Sequence, residues 1–153
     1  MPEEGELGSY HERRLDNLGL SESAGRVTFW QGDACNLKEG FRDFDLILAA
    51  NLIDRLYAPR RFLETIAGRL KPGGLLVLAS PYTWLEEFTK REEWIGGFKK
   101  DGESYTTLDG LKDILGEHFT LVEGPLPVPF VIRETRRKHQ HTLSETTVWK
   151  RRS

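Results

Sequence analysis

The sequence predicts an α/β protein with one sheet, mostly parallel, and an antiparallel strand near the C-terminus. Three observations carry this. FDLILAA (44–50) and GLLVLAS (74–80) are continuously apolar runs of strand length, as in strands covered on both faces. Between them Phe62, Leu63, Ile66 and Leu70 recur at helical spacing, so strand, helix and strand form one right-handed parallel unit. Near the end of the chain, His141 to Trp149 alternates as a half-buried strand does.

Taken in order, residues 1–25 hold Gly5, Gly8, Gly19, Gly25 and several serines, with little apolar pattern beyond Leu15, Leu18 and Leu20. They read as a loop with one short helix, and residues 26–153 as sheet and helices. RVTFWQ (26–31) has the β-branched and aromatic content of a strand, which Gly32 and Asp33 would end. After the 44–50 strand, Pro59 suits a first helical turn, and KPGG (71–74) closes that helix ahead of the next strand. Beyond Pro81 comes a long aromatic insertion, with a short helix at Trp84 to Phe88, of the kind that often covers a site. A helix follows from Thr107, as N-cap, to Phe119; FTLVEG then begins a strand and LPVPFVIRE leads to the last one.

Composition narrows the function. The chain has 153 residues, enough for one core, and a formal net charge of -2, which gives no general attraction for nucleic acid or membrane. The basic tail from Arg133 to Arg152 lacks the interleaved aromatics of a nucleic-acid reader. No apolar run approaches a membrane span, and the acidic start is unlike a signal peptide, so a cytoplasmic protein with a small-molecule substrate is expected. Cys35, the single cysteine, excludes an internal disulfide and a cysteine-based zinc site. His139 and His141 share one strand face without a third ligand, so no metal is expected.

Ligands of open α/β sheets bind beyond the carboxyl ends of the strands, which draws attention to Gly32, Asp33, Ala34, Asn51, Leu52, Asp54, Ser80, Pro81 and Tyr82. Asp33 in GDACNL could accept from an exocyclic amine or cap its own turn. In AANLIDRLY, Asn51, Asp54 and Arg55 lie where a ligand edge would fall, although Asp54 and Arg55 could equally form a surface pair. Tyr82, Trp84, Trp94 and Phe98 could wall a pocket or fill a core.

These residues also carry a resemblance. GDACNL, FDLILAANLIDRLY and LKPGGLLVLASPYTW resemble the second half of class I S-adenosylmethionine-dependent methyltransferases, whose sheet is Rossmann-like. SPYTWLEEFTKREEWIGGFKKDG and VPFVIRETRRKHQHTLSETTVW resemble more specifically the C-terminal methyltransferase domains of ovothiol-biosynthesis enzymes, which pair a 5-histidylcysteine sulfoxide synthase with a 4-mercaptohistidine N1-methyltransferase. The resemblance implies methyl transfer from S-adenosylmethionine to an imidazole nitrogen of 4-mercaptohistidine (5-thiohistidine). It implies that Asp33 and Ala34 hold the adenine and that Asn51 lies beside the methionine end of the cofactor. Asp54, Arg55, Tyr82, Trp84 and Arg133 are the substrate-side candidates by position, and no catalytic residue is singled out.

Against the class I pattern, the first two strands and the glycine-rich turn between strand and helix are missing, so the chain reads as the C-terminal portion of such a domain. Two consequences are expected. Either the 26–31 strand pairs directly with 44–50, or the exposed edge of 44–50 joins two chains as a homodimer, the arrangement favoured here. The rival to an enzyme is a non-catalytic methyltransferase-like module that dimerises or binds a partner.

Overall fold

A computed structural model describes residues 1–153 and divides them into two compact units: 1–31 with 131–141, and 32–130 with 142–153. In the first, β1 (Pro2–Glu4) and β2 (Leu7–Gly8) form a small antiparallel hairpin about Gly5, and a 3-10 helix spans Ser21–Arg26. No residue of this unit is buried, and Arg137 pairs with Glu4 at 2.9 Å. The expected strand at 26–31 does not form: these residues are irregular and Phe29 stays 92% exposed. Its β-favouring composition lacks a neighbouring edge, and strand propensity amounts to little without one.

The second unit carries the core. β3 (Phe44–Ala50) runs parallel to β4 (Leu70–Ser80), and the connection between them holds α1 (Pro59–Thr65), continued by a 3-10 turn at Ile66–Arg69. Pro59 opens α1 and is itself buried with Phe62 and Leu63. β4 starts earlier than expected. Phe44 faces Leu70 while Leu46 faces Leu75, so KPGG is looped out as an irregularity within the strand and does not precede it.

After β4 come β5 (Phe98–Lys100) and β6 (Glu103–Tyr105), a two-stranded ribbon that turns on Asp101 and Gly102, both with positive φ. The segment expected as a helix at 84–88 is one turn, where the N–H groups of Phe88 and Thr89 both donate to the Leu85 carbonyl. Then follow α2 (Thr107–Leu115), β7 (Phe119–Arg133) and β8 (His139–Arg151).

The main sheet has the order β3-β4-β8-β7. β8 lies antiparallel against β4, with Leu76 opposite Trp149 and Leu78 opposite Thr147. The sheet is therefore mixed, not mostly parallel. Only one βαβ unit is present, and the short link at 134–138 can join β7 and β8 only as antiparallel neighbours.

Leu76, Leu78 and Trp149 of the sheet pack with Phe62, Leu63 and Ile66 of the α1 segment and Leu111 and Leu115 of α2 to form the core. The opposite face is not covered as the apolar runs implied: Leu75 and Val77 are half-buried, while Leu46 and Leu48 are 53% and 62% exposed. β3 is an edge strand, and no strand of the chain pairs with its outer side.

Candidate active site at the strand ends

β3 and β4 deliver their carboxyl ends side by side. The Asn51 N–H donates to the Ala79 carbonyl at 2.7 Å and carries the ladder one residue beyond β3. There Asn51 turns the chain with φ 51°, a left-handed conformation that asparagine tolerates better than most residues. Its Oδ1 accepts from Ser144 Oγ of β8 at 2.7 Å, while the residue as a whole stays exposed. Past β4, Tyr82 takes φ 53°, costly for a bulky side chain, and its N–H is held by Ser80 Oγ at 3.1 Å. Such strain collects at binding and catalytic sites.

Asp54 ties these two ends together. It is 1% exposed, and its Oδ2 accepts from Arg55 Nη1 at 3.0 Å, from Thr83 Oγ1 at 2.9 Å and from the Thr83 N–H at 3.1 Å. Its other oxygen, Oδ1, is buried with no partner. Arg55 is the exposed half of the pair, also bonded to the Thr83 carbonyl at 2.8 Å and lying 5.0 Å from the Phe88 ring centre. The pair is thus a clamp from the β3 end to the β4 end and more than a surface ion pair.

Tyr82 donates its hydroxyl to Glu145 of β8 at 3.0 Å; burial first, and then the Glu145 charge, push its ionisation far above the usual phenol range. At the 32–36 turn, Asp33 Oδ1 accepts from the Cys35 N–H and Oδ2 from the Tyr57 hydroxyl, each at 2.8 Å. Asp33 therefore caps its own turn as N-cap of the 3-10 segment Ala34–Asn36, yet it remains exposed with lone pairs to spare. Ala34 beside it is half-buried.

The structure thus gathers Asp33, Ala34, Asn51, Asp54, Arg55 and Tyr82 within one unit, at or just beyond the strand ends. Trp84 belongs to the core instead: it is 8% exposed, gives its indole N–H to Thr107 Oγ1 at 3.0 Å and stacks on Trp94 at 6.2 Å. Arg133 lies in the other unit, exposed, with Nε bonded to the Thr135 carbonyl. Sequence reading missed Tyr57, Ser144 and Glu145. Tyr57 stands in the quoted stretch after Arg55, but nothing in a linear sequence pairs it with Asp33, and Ser144 and Glu145 reach the rim only because β8 lies beside β4.

Acceptors dominate this rim. Asp33, Asn51, Asp54 and Glu145 present oxygens, against one guanidinium already engaged by Asp54 and Thr83. Such a donor set suits a ligand bearing amines or positive charge.

Residues 10–78, just under half of the chain, match the model of a methyltransferase-domain family. Among solved structures, an enzyme structure concerned with conversion of a disulfide bond into a thioacetal group during echinomycin biosynthesis is similar at 18% identity and a TM-score of 0.54, covering 90% of this chain and 59% of that one. The N-methyltransferase NodS from Bradyrhizobium japonicum, in complex with S-adenosyl-L-homocysteine, is similar at 19% identity and a TM-score of 0.48, covering 89% and 62%. A SAM-dependent methyltransferase from Methanosarcina mazei is similar at 18% identity and a TM-score of 0.48, covering 91% and 79%. No curated protein sequence matches the chain. The chain spans less than two thirds of the length of the first two of these structures. Its fold is that of an α/β methyltransferase-like domain with a mixed sheet.

Proposed function

We propose that the chain is part of an S-adenosylmethionine-dependent methyltransferase that methylates an imidazole nitrogen of 4-mercaptohistidine, as in ovothiol biosynthesis. The observation that carries the general reading is the rim itself: an acceptor-rich set of residues at the carboxyl ends of a parallel pair, in a region that matches a methyltransferase-domain model. NodS, bound to S-adenosyl-L-homocysteine, is a relative in fold that acts as an N-methyltransferase. The choice of acceptor rests on the resemblance of residues 80–102 and 128–149 to the ovothiol-pathway domains.

The residues present fit the cofactor at this rim. Asp33 and Ala34 would hold the adenine, Asp33 accepting from its exocyclic amine with the lone pairs left by Cys35 and Tyr57. Asn51, whose Oδ1 is fixed by Ser144, presents its amide N–H groups to the methionine end. The cofactor, when bound, supplies a methyl group on a sulfonium sulfur. Tyr82, held by Glu145, and Arg55, held by Asp54, are placed to orient the acceptor ring, and orientation accounts for much of the rate in an in-line displacement. Glu145 is the carboxylate at hand to take up the imidazole proton.

Calorimetric titration with S-adenosyl-L-homocysteine tests the cofactor half. Binding is expected, and Asp33→Ala should weaken it by about 1–3 kcal/mol, the cost of one hydrogen bond to a charged group. Radiolabelled methyl transfer to 4-mercaptohistidine tests the acceptor half. Absence of both binding and transfer leaves the rival reading, a non-catalytic module that associates through its sheet, for which the open side of β3 is the supporting observation.

A further inference from the structure

We propose that the outer edge of β3 is a two-fold interface at which the chain pairs with a second copy of itself, with Ile47 on the axis. The inference is independent of the function proposed above. β3 ends the sheet, so its outward N–H and C=O groups have no strand partner. Exposed edges are ordinarily guarded by lysines, prolines or bulges that forbid further pairing. FDLILAA carries no lysine and no proline, and its one charge, Asp45, is neutralised by Lys71 Nζ at 2.7 Å.

The surroundings of this edge are apolar as well. Phe44, Leu46 and Leu48 are 42%, 53% and 62% exposed on one face. Around the edge runs a groove of about 320 Å³ formed by Leu37, Ile47, Ala49, Leu52 and Phe62 among others. The charged residue in it, Arg69, spends its guanidinium on the carbonyls of Leu37, Lys38 and Phe41.

A second copy fits for a specific reason. Two strands related by a two-fold axis normal to the sheet must be antiparallel, and the interface is then self-complementary. Centred on Ile47, this places Leu46 opposite Leu48, Phe44 opposite Ala50 and Asp45 opposite Ala49. Large residues meet apolar ones, no charge meets its like, and side chains on each face stay on that face. An edge without a free charge offers a different protein nothing to select by, whereas its own sequence satisfies every position.

Sedimentation equilibrium in the micromolar range should give twice the chain mass of 17.6 kDa. L46K and L48E should each be folded monomers by circular dichroism, since both positions are exposed in the single chain. Mixed in equal amounts, the two variants should associate, because the proposed register sets the substituted positions against each other. A wild-type monomer throughout, open-ended aggregates, a dimer that survives both single substitutions, or variants that fail to pair on mixing would each overturn the proposal. Should either variant unfold, hydrogen exchange decides on the wild-type chain: slow exchange of the outward β3 amides supports pairing, and rapid exchange of all of them overturns it.

Discussion

Removing the Asp54 carboxylate would strand the Arg55 guanidinium and both Thr83 donors inside a region closed to water. Asp54→Ala should therefore cost about 3–5 kcal/mol, the range for breaking a buried charged pair, as read by urea denaturation. Asp54→Asn keeps an oxygen for two of the three donors and should cost clearly less. A neutral outcome for Asp54→Ala would make the clamp between β3 and β4 unnecessary. The Tyr57 phenol makes a second test. Its ionisation lies above the ordinary value because its hydrogen bond to Asp33 would be lost, with burial and the Asp33 charge adding to the effect. Absorbance titration should show Tyr57 ionising later than a free tyrosine, and Asp33→Asn should bring it back toward the ordinary range. At this scale the sequence left Asp33 with two readings, a turn cap and an acceptor for a ligand, and the geometry holds both: one residue caps Cys35 and still faces solvent. Side-chain partners distant in sequence, such as Ser144 for Asn51, 93 positions away, were illegible because no periodicity links them.

Elements were most legible where periodicity and a local stop coincide, as in β3, α1 and α2. The α2 cap lies one residue earlier than Thr107: Thr106 accepts from the Asp109 N–H while the Asp109 carboxylate returns a bond to the Thr106 N–H, a reciprocal capping box. Thr107 is free for another task and receives the Trp84 indole. Thr106→Ala should lower stability by about 1 kcal/mol, seen as a shift in urea midpoint with unchanged slope, and Thr107→Ala should loosen Trp84 instead. Gly110 is required by space. A Cβ there would stand 1.7 Å from the Ile95 carbonyl oxygen, so Gly110→Ala must push α2 away from the insertion and cost at least about 1–3 kcal/mol. The Asp101–Gly102 turn of the β5–β6 ribbon was signalled by its Asp-Gly pair, the commonest short hairpin cue, but was masked by the charged residues around it. Tyr105 of this ribbon donates to Asp113 of α2 at 2.6 Å; partial burial first, and then that bond, raise its ionisation to about 12 from 10.0. The folded state thus holds a proton that the unfolded chain gives up earlier. Its contribution to stability is whole below pH 10 and fades between 10 and about 12. Thermal melts across that window should fall less steeply in Asp113→Asn.

For the molecule as a whole, the sequence conveyed the βαβ unit and the last strand, because each is written as an apolar period over consecutive residues. The order β3-β4-β8-β7 was not legible, since apolar periodicity says which residues are buried but not which strand lies beside which. For the same reason 26–31 looked like a strand: its composition suits a sheet in which it has no place. In the proposed dimer the two-fold axis turns one sheet end for end relative to the other, so the two rims would open at opposite ends of one continuous sheet. The position of β8 has a consequence in time. β4 is built early, yet the neighbour that covers its second side, by pairing Ser80 with Glu145 and Leu75 with Lys150, is translated only after the ribbon, α2 and β7. While a ribosome is still making residues 81–138, a nascent chain would expose both flanks of its most apolar strand. Closure of the sheet waits on a long-range search, the slow kind of contact to form. Stopped-flow refolding should show the Trp149 signal arriving with the main folding phase, and a chain ended after residue 138 should be captured by chaperones where the full one is released.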